Sequence, residues 1–315
     1  MGLARPNEQD FRILIDIYTY RVLSVQQLKQ IHFPNTSDYH YRKLRNLYQD
    51  GLLIKDRMTD PKSGRKTGTC YYISHKGIEF LIKHGLLNQK DQPFNAARSH
   101  NTKMQRHVLT LNELKVQLTN WEWIDGRVIK RELPMENNTK IGGALKRDND
   151  TRYVYLVGEI FNRKNPLKVE QMLAAHEKRI SLIDKEIEKY QLKKVIIFVR
   201  TEELYSYFYH NYSGFASECW LLPYRWGIYL LKNPDSPIEQ YASRKEGLFY
   251  KIKDRNYIDM YQGDIQILKT AQAQDKPFSI FTNSLLEKTI KKLVGPNVDI
   301  HSVQFQKDKI PLTIQ

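Results

Sequence analysis

Three helical patterns in quick succession, followed by two strand-like runs around a basic turn, constrain this chain more than anything else in it. Phe11, Leu14, Ile15 and Tyr18 recur at helical spacing. Ser24 then opens a second helix, whose Val25, Leu28 and Ile31 face inward. Pro34 lacks an N–H and disfavours helix at Phe33, so the chain breaks there. Thr36 or Ser37 can cap a third helix running to about Tyr48. Its spacing puts Tyr41, Leu44, Leu47 and Tyr48 on one face and Asp38, Tyr39, Arg42, Lys43 and Asn46 on the other. Gly51 sits where a helix-ending glycine belongs. Residues 52–58 and 69–73 read as strands flanking a turn that contains Pro61, Lys62, Gly64, Arg65 and Lys66. Ser74 caps a short helix closed by Gly85.

This order predicts a winged helix-turn-helix over residues 1–90. In such a module the second helix of the helix-turn-helix enters the major groove, and its N-terminal residues reach base edges. Here those residues are Asn35, Thr36, Ser37, Tyr39 and His40, with Arg42, Lys43 and Arg45 reaching bases or phosphates. Lys62, Arg65 and Lys66 would lie along the backbone or the minor groove. Phosphate contacts position the protein and base contacts specify the site. A protein–protein winged helix is the competing reading. A basic turn together with a basic third helix favours double-stranded DNA; neither feature would decide it alone.

Composition points the same way. The chain of 315 residues has 50 Lys plus Arg against 35 Asp plus Glu, a net charge of +15. That balance suits a polyanionic partner. Mean hydropathy is −0.60, no apolar run is long enough to span a bilayer, and the N-terminus lacks a signal-peptide core, so a membrane role is not expected. The two cysteines, Cys70 and Cys219, form no C-x-x-C pair. No zinc site, metal or cofactor is therefore expected, and a reduced, cytoplasmic compartment fits. Cys70 reads as a buried small side chain. No internal repeat is visible.

Residues 91–119 read as a linker and a connecting helix, in which His100 reads as a surface histidine and His107 as a packed one. Residues 120–315 read as an α/β domain with a mixed sheet. Asp125-Gly126 suggests a hairpin between strands at 121–124 and 127–133. Further strands are expected at 140–147, 153–161, 194–200, 220–222 and 227–231. A long helix at 166–190 carries a near-heptad seam through Val169, Met172, Leu173, His176, Ile180, Ile183, Ile187 and Tyr190, and the tail beyond 274 carries one helix at 283–293. The fold class is thus α+β overall.

The strand–strand–helix–strand order resembles a degenerate restriction-endonuclease-like core. That chemistry needs clustered carboxylates on the central hairpin to hold a divalent metal. Glu159 lies in a suitable strand, but Phe161 follows where a Lys is wanted, and the preceding strand carries Gly142-Gly143. No His-x-His pair suits a tyrosine-dependent nicking enzyme, and Tyr190 reads as a helix-end packing residue. No phosphate-cradling Gly-rich loop or nucleophile elbow is present. No catalytic residues are assigned, and enzyme activity is not expected.

Several segments resemble the replication-relaxation family. They are Ile13–Tyr18, Val22–Leu28, Tyr41–Leu47, Gly51-Leu52-Leu53, Tyr72–Gly77 and Arg106–Glu113, the last similar to the helix that joins that family's two halves. These proteins occur on plasmids and integrative elements. The resemblance implies a DNA-binding N-terminal half and a role in plasmid replication, conjugative mobilisation or its regulation. The second half would then dimerise the protein or recruit a relaxase or replication protein. Two alternatives remain: a transcription regulator whose α/β half senses a ligand or peptide, and a metal-dependent nickase.

Overall fold

The computed structural model describes residues 6–35, 38–59, 66–88, 102–136, 138–157, 166–200, 202–274, 276–294 and 296–303. The chain divides into two compact units, residues 1–117 and 118–315.

The first unit contains α1 (Glu8–Tyr20), β1 (Leu23–Ser24), α2 (Val25–His32), α3 (Tyr39–Gln49), β2 (Leu53–Thr59), β3 (Lys66–Ile73), α4 (His75–Lys83) and α5 (Thr102–Gln117). Local signals set these boundaries. Asn7 and Asp10 form a capping box on α1, and Ser24 and Gln27 form another on α2. The Ser74 hydroxyl accepts from Gly77 N at the start of α4. Gly51 turns the chain out of α3 at φ 73°. The strands pair antiparallel in the order β1-β3-β2. Ile13, Leu14, Ile17, Leu28, Leu44, Leu47 and Leu81 are fully buried between the helices and one face of the hairpin β2–β3.

The helix expected to connect two domains is built into this unit. Gln27 Nε2 donates to Leu109 O at 2.9 Å, and Asn112 Nδ2 donates to Val22 O at 2.6 Å. Three polar residues of α5, Gln105, Thr110 and Asn112, are buried beside the apolar Leu109 and Leu114. Polar side chains sit inside here because each finds a partner: Asn112 donates to the carbonyls of Tyr20 and Val22, Gln105 to side chains of β2 and β3, and Thr110 to Arg106 O. His107 is half-buried, while His100 lies outside the described residues.

The second unit contains two five-stranded mixed sheets. The first sheet runs in the order β4 (Glu122–Asp125), β5 (Ile141–Arg147), β6 (Asp150–Val157), β7 (Lys194–Val199), β8 (Glu218–Pro223). The second runs β9 (Arg244–Glu246), β10 (Phe249–Ile252), β11 (Arg255–Asp259), β12 (Ser279–Asn283), β13 (Ile300–Val303). In each, two antiparallel pairings are followed by two parallel ones. Helices make the parallel crossovers: α7 (Pro166–Lys189) and α8 (Glu202–Asn211) in the first, α10 (Ile265–Gln272) and α11 (Glu287–Val294) in the second. One topology is therefore used twice, which the sequence did not reveal. The copies meet where Leu221 N donates to Gly263 O and Cys219 N donates to Asp264 Oδ1.

Several expectations are corrected. Asp125-Gly126 is no hairpin: the Asp125 carboxylate accepts from Arg127 N and caps α6 (Gly126–Glu132), so 127–133 is helical. Residues 227–231 lie in α9 (Tyr224–Lys232), where Gly227 packs so closely that a Cβ would come within 2.7 Å of the Phe198 ring. The tail adds β12 and β13 to its one helix, α11. Gly143 has a packing role, since a Cβ there would lie 2.3 Å from the Trp123 ring. On the long helix, Ile180, Ile183 and Ile187 are buried as the seam required. The side chains of Val169, Met172, Leu173 and His176 lie outside the described residues. No described helix is long and apolar enough to cross a membrane.

Candidate nucleic-acid interface

The third helix is held by a buried ion pair. Lys43 Nζ lies 2.6 Å from Asp10 Oδ1, and the two side chains are 10% and 1% exposed. The same ammonium donates to Asn7 Oδ1 at 3.2 Å. Removing either partner of such a pair strands a charge in a low-dielectric site. Asp10 is itself half of the capping box of α1, so one carboxylate links the start of α1 to the middle of α3.

This pair sets the helix phase and corrects the expected one. His40, Lys43, Leu44 and Leu47 point inward, and Tyr41 and Tyr48 point outward. A lysine is normally assigned to the wet face. Here a partner on a distant helix supplies its counter-charge. His40 is 2% exposed and packs on Phe33 and Tyr41. Lys43 and His40 thus leave the solvent-facing set in which the sequence placed them.

Tyr39, Arg42, Arg45 and Asn46 are exposed along α3, as is Asn35 ahead of it. The Arg42 guanidinium lies over the Tyr39 ring at 5.2 Å, a stacking contact that pre-orients it. Lys66 is exposed at the start of β3. Thr36, Ser37, Lys62 and Arg65 lie outside the described residues. The expected cap of α3 by Thr36 or Ser37 falls there too; α3 starts after Asp38 with no side-chain cap bond.

The structure adds residues that the sequence reading missed. Tyr41 and Tyr48 are 57% and 46% exposed on α3. Lys55 and Arg57 are exposed on β2, in register with Tyr71 and Thr69 of β3. Burial pushes the Tyr71 hydroxyl pKa up, with Tyr48, Cys70 and Tyr41 adding to the shift. The alternation of Lys55 and Arg57 was a visible signal for one common face.

The other face of the hairpin is filled by α5. Gln105 Nε2 donates to Asp56 Oδ2 at 3.1 Å and to the Tyr72 hydroxyl at 3.0 Å, and also lies 3.1 Å from Cys70 Sγ. Burial, then the Asp56 charge, push the Cys70 thiol up to about 12, so it stays protonated at neutral pH.

One charged cluster of the second unit lies at strand ends. Arg152 bridges Asp150 (2.6 Å) and Glu218 (2.7 Å), and its guanidinium lies 3.5 Å over the Trp220 ring. Lys194 completes the set at 2.9 Å from Asp150. Burial alone would raise the Asp150 carboxyl, but Lys194 and Arg152 outweigh it and hold the pKa below the usual range. The Tyr190 hydroxyl accepts from Glu136 N, in keeping with a packing role. Glu159 and Phe161 lie outside the described residues.

The family comparison covers the first unit from within α1 and the opening of the second. Residues 14–137 match the replication-relaxation family. The matched stretch takes in most of α1, then α2, α3, the hairpin strands, α4, α5, β4 and α6. It bears out the resemblance carried by Ile13–Tyr18, Tyr41–Leu47 and Arg106–Glu113. No curated protein and no solved structure matches the chain.

Proposed function

We propose that the first unit is a winged helix-turn-helix that binds specific double-stranded DNA, and that the protein acts in plasmid replication, mobilisation or the control of either. The observation that carries this reading is α3, locked from behind by Lys43–Asp10 while Tyr39, Arg42, Arg45 and Asn46 face solvent. A rigid helix presenting two guanidiniums and an amide suits the major groove, where Arg pairs with guanine and Asn with adenine. The chain's net charge of +15 supports the same partner. The replication-relaxation match supports the biological setting. In this reading Asn35 joins the base-reading set, and Thr36 and Ser37 flank it in sequence. Lys66, with Lys62 and Arg65 ahead of it in the sequence, holds the backbone in this reading.

The second unit, in the same reading, serves pairing of two chains or recruitment of a relaxase or replication protein, without nicking chemistry of its own. Selection of genomic or plasmid fragments by the purified full chain, followed by sequencing, tests both parts. Recovery of one motif is expected, and its symmetry reports the oligomer. Fragments without a common motif would refute sequence-specific binding. Supercoiled plasmid incubated with the protein and Mg²⁺ or Mn²⁺ is expected to stay intact; nicking lost in Glu159→Ala would refute the non-enzymatic reading.

A further inference from the structure

Tyr41 and Tyr48 are separated by two helical turns on one flank of α3, and both are far more exposed than core tyrosines. Single exposed aromatics are ordinary on protein surfaces. These two are not isolated. They lie within electrostatic reach of Tyr71 of β3, and the β2 residue opposite Tyr71 is Lys55, with Arg57 two residues further along the same face. Neither Lys55 nor Arg57 is in an ion pair among the described residues. The reverse face of the hairpin is occupied by Gln105 and Leu109 of α5, whereas on this face Leu53, Tyr71 and Ile73 pack into the helical core and Lys55 and Arg57 stay exposed.

We propose that Tyr41, Tyr48, Lys55 and Arg57 form a second nucleic-acid surface, which grips the phosphate backbone of duplex DNA beside the groove that α3 enters. It rests on the reading of α3 as the base-reading helix. The chemistry is complementary: tyrosine hydroxyls donate to phosphate oxygens, and the two cations displace condensed counterions. Such contacts carry no sequence information. They set how the helix is seated, while Arg42, Arg45 and Asn46 set what it reads. A pair of phenol donors also adds affinity with little loss of side-chain freedom, because a tyrosine side chain has only two rotatable bonds to its ring.

The test uses the full chain, a duplex carrying the selected motif and a random duplex of equal length. Wild type, Tyr41→Phe/Tyr48→Phe and Lys55→Ala/Arg57→Ala are titrated against both across a salt series. Phenylalanine keeps the rings, so a loss in that variant isolates the hydroxyls from folding. The Tyr variant is expected to weaken both duplexes by about tenfold, with the ratio of the two affinities unchanged. The Lys55/Arg57 variant is expected to flatten the salt slope by about two units, again at constant ratio. Wild-type binding that neither variant alters overturns the inference and leaves the α3 reading standing. A collapse of the ratio also overturns it, because the strip would then be reading bases. Weakening confined to a single-stranded oligonucleotide, or a loss of self-association without loss of DNA affinity, overturns it as well. If wild type binds no duplex, the α3 reading fails first and the strip falls with it.

Discussion

Lys43 in the first unit and Arg152 in the second are both buried cations, yet their neighbours differ. Around Lys43, the other cations of α3 and β2 (Arg42, Arg45, Lys55 and Arg57) stay exposed and outside any ion pair among the described residues. Around Arg152, the nearby cation Lys194 is tied to the same acids, Asp150 and Glu218. In the first unit one charge is sacrificed to fix a helix whose remaining charges face outward. In the second, charge of both signs closes on itself and ties together the starts of β6, β7 and β8. The difference teaches that a cation's number in the sequence says little about its availability to a ligand. Its partner decides that, and the partner here comes from another element.

Breaking the first arrangement on its exposed side should have the largest effect. Arg42→Ala/Arg45→Ala/Asn46→Ala is expected to lower the selected-to-random affinity ratio by about a thousandfold, since each good base contact contributes about 1–3 kcal/mol of discrimination. Fluorescence anisotropy on the two duplexes measures it. Breaking the arrangement on its buried side should act on stability. Lys43→Ala is expected to destabilise the first unit by about 3–4 kcal/mol, because the Asp10 carboxylate is left buried and unpaired. All four tryptophans (Trp121, Trp123, Trp220 and Trp226) lie in the second unit. Urea unfolding followed by far-UV circular dichroism should therefore show the loss, and tryptophan fluorescence should not.

The second unit offers the complementary probe. Asp264 is buried where the two sheet copies meet, and burial raises its carboxyl pKa to about 6 even though Cys219 N and Gln266 N donate to it. A carboxyl raised in the folded state favours folding when protonated. Its contribution is complete below about pH 4 and is lost as pH rises through 6. Asp264→Asn keeps an oxygen that can accept both N–H groups and removes the titration. It is expected to flatten the pH 4–6 dependence of tryptophan-monitored stability, by up to about 3 kcal/mol. The smallest effect is expected at Gln105→Ala, about 1–2 kcal/mol, from the hydrogen bonds that seat the hairpin on α5. Proteolysis within the β2–β3 hairpin should speed up in that variant.

The same contrast explains how much could be read from the sequence. The helices and hairpin of the first unit were legible because Ser24, Gly51, Ser74 and Gly85 punctuate them with local chemistry. The phase of α3 was not legible, because it depends on Asp10, more than thirty residues away, accepting a lysine. Accordingly the spacing puts Arg42 and Asn46 on the exposed side, where they lie, but it also puts Lys43 there and sets Tyr41 and Tyr48 opposite, with Leu44 and Leu47. In the second unit, β5, β6, β7 and β8 were visible as apolar runs. The second sheet was missed because its edge strand β9 is wholly exposed Arg-Lys-Glu and its other strands have only four or five residues. Runs that short and polar carry no clear period of two. Residues 227–231 misled in the opposite direction: a dense apolar run is ambiguous between strand and buried helix, and the close approach of Gly227 to Phe198 belongs to a helix.

The central claim is that the outward crest of α3 meets DNA. Cys70 and Cys219 are both buried, so a thiol introduced on α3 can be followed by itself. Asn46→Cys in the full chain, with Arg244→Cys on the exposed strand β9 as the reference position, would be alkylated with and without saturating selected duplex. DNA is expected to slow alkylation at position 46 by at least about tenfold and to leave position 244 unchanged. Equal rates at position 46 with and without bound duplex would contradict the account.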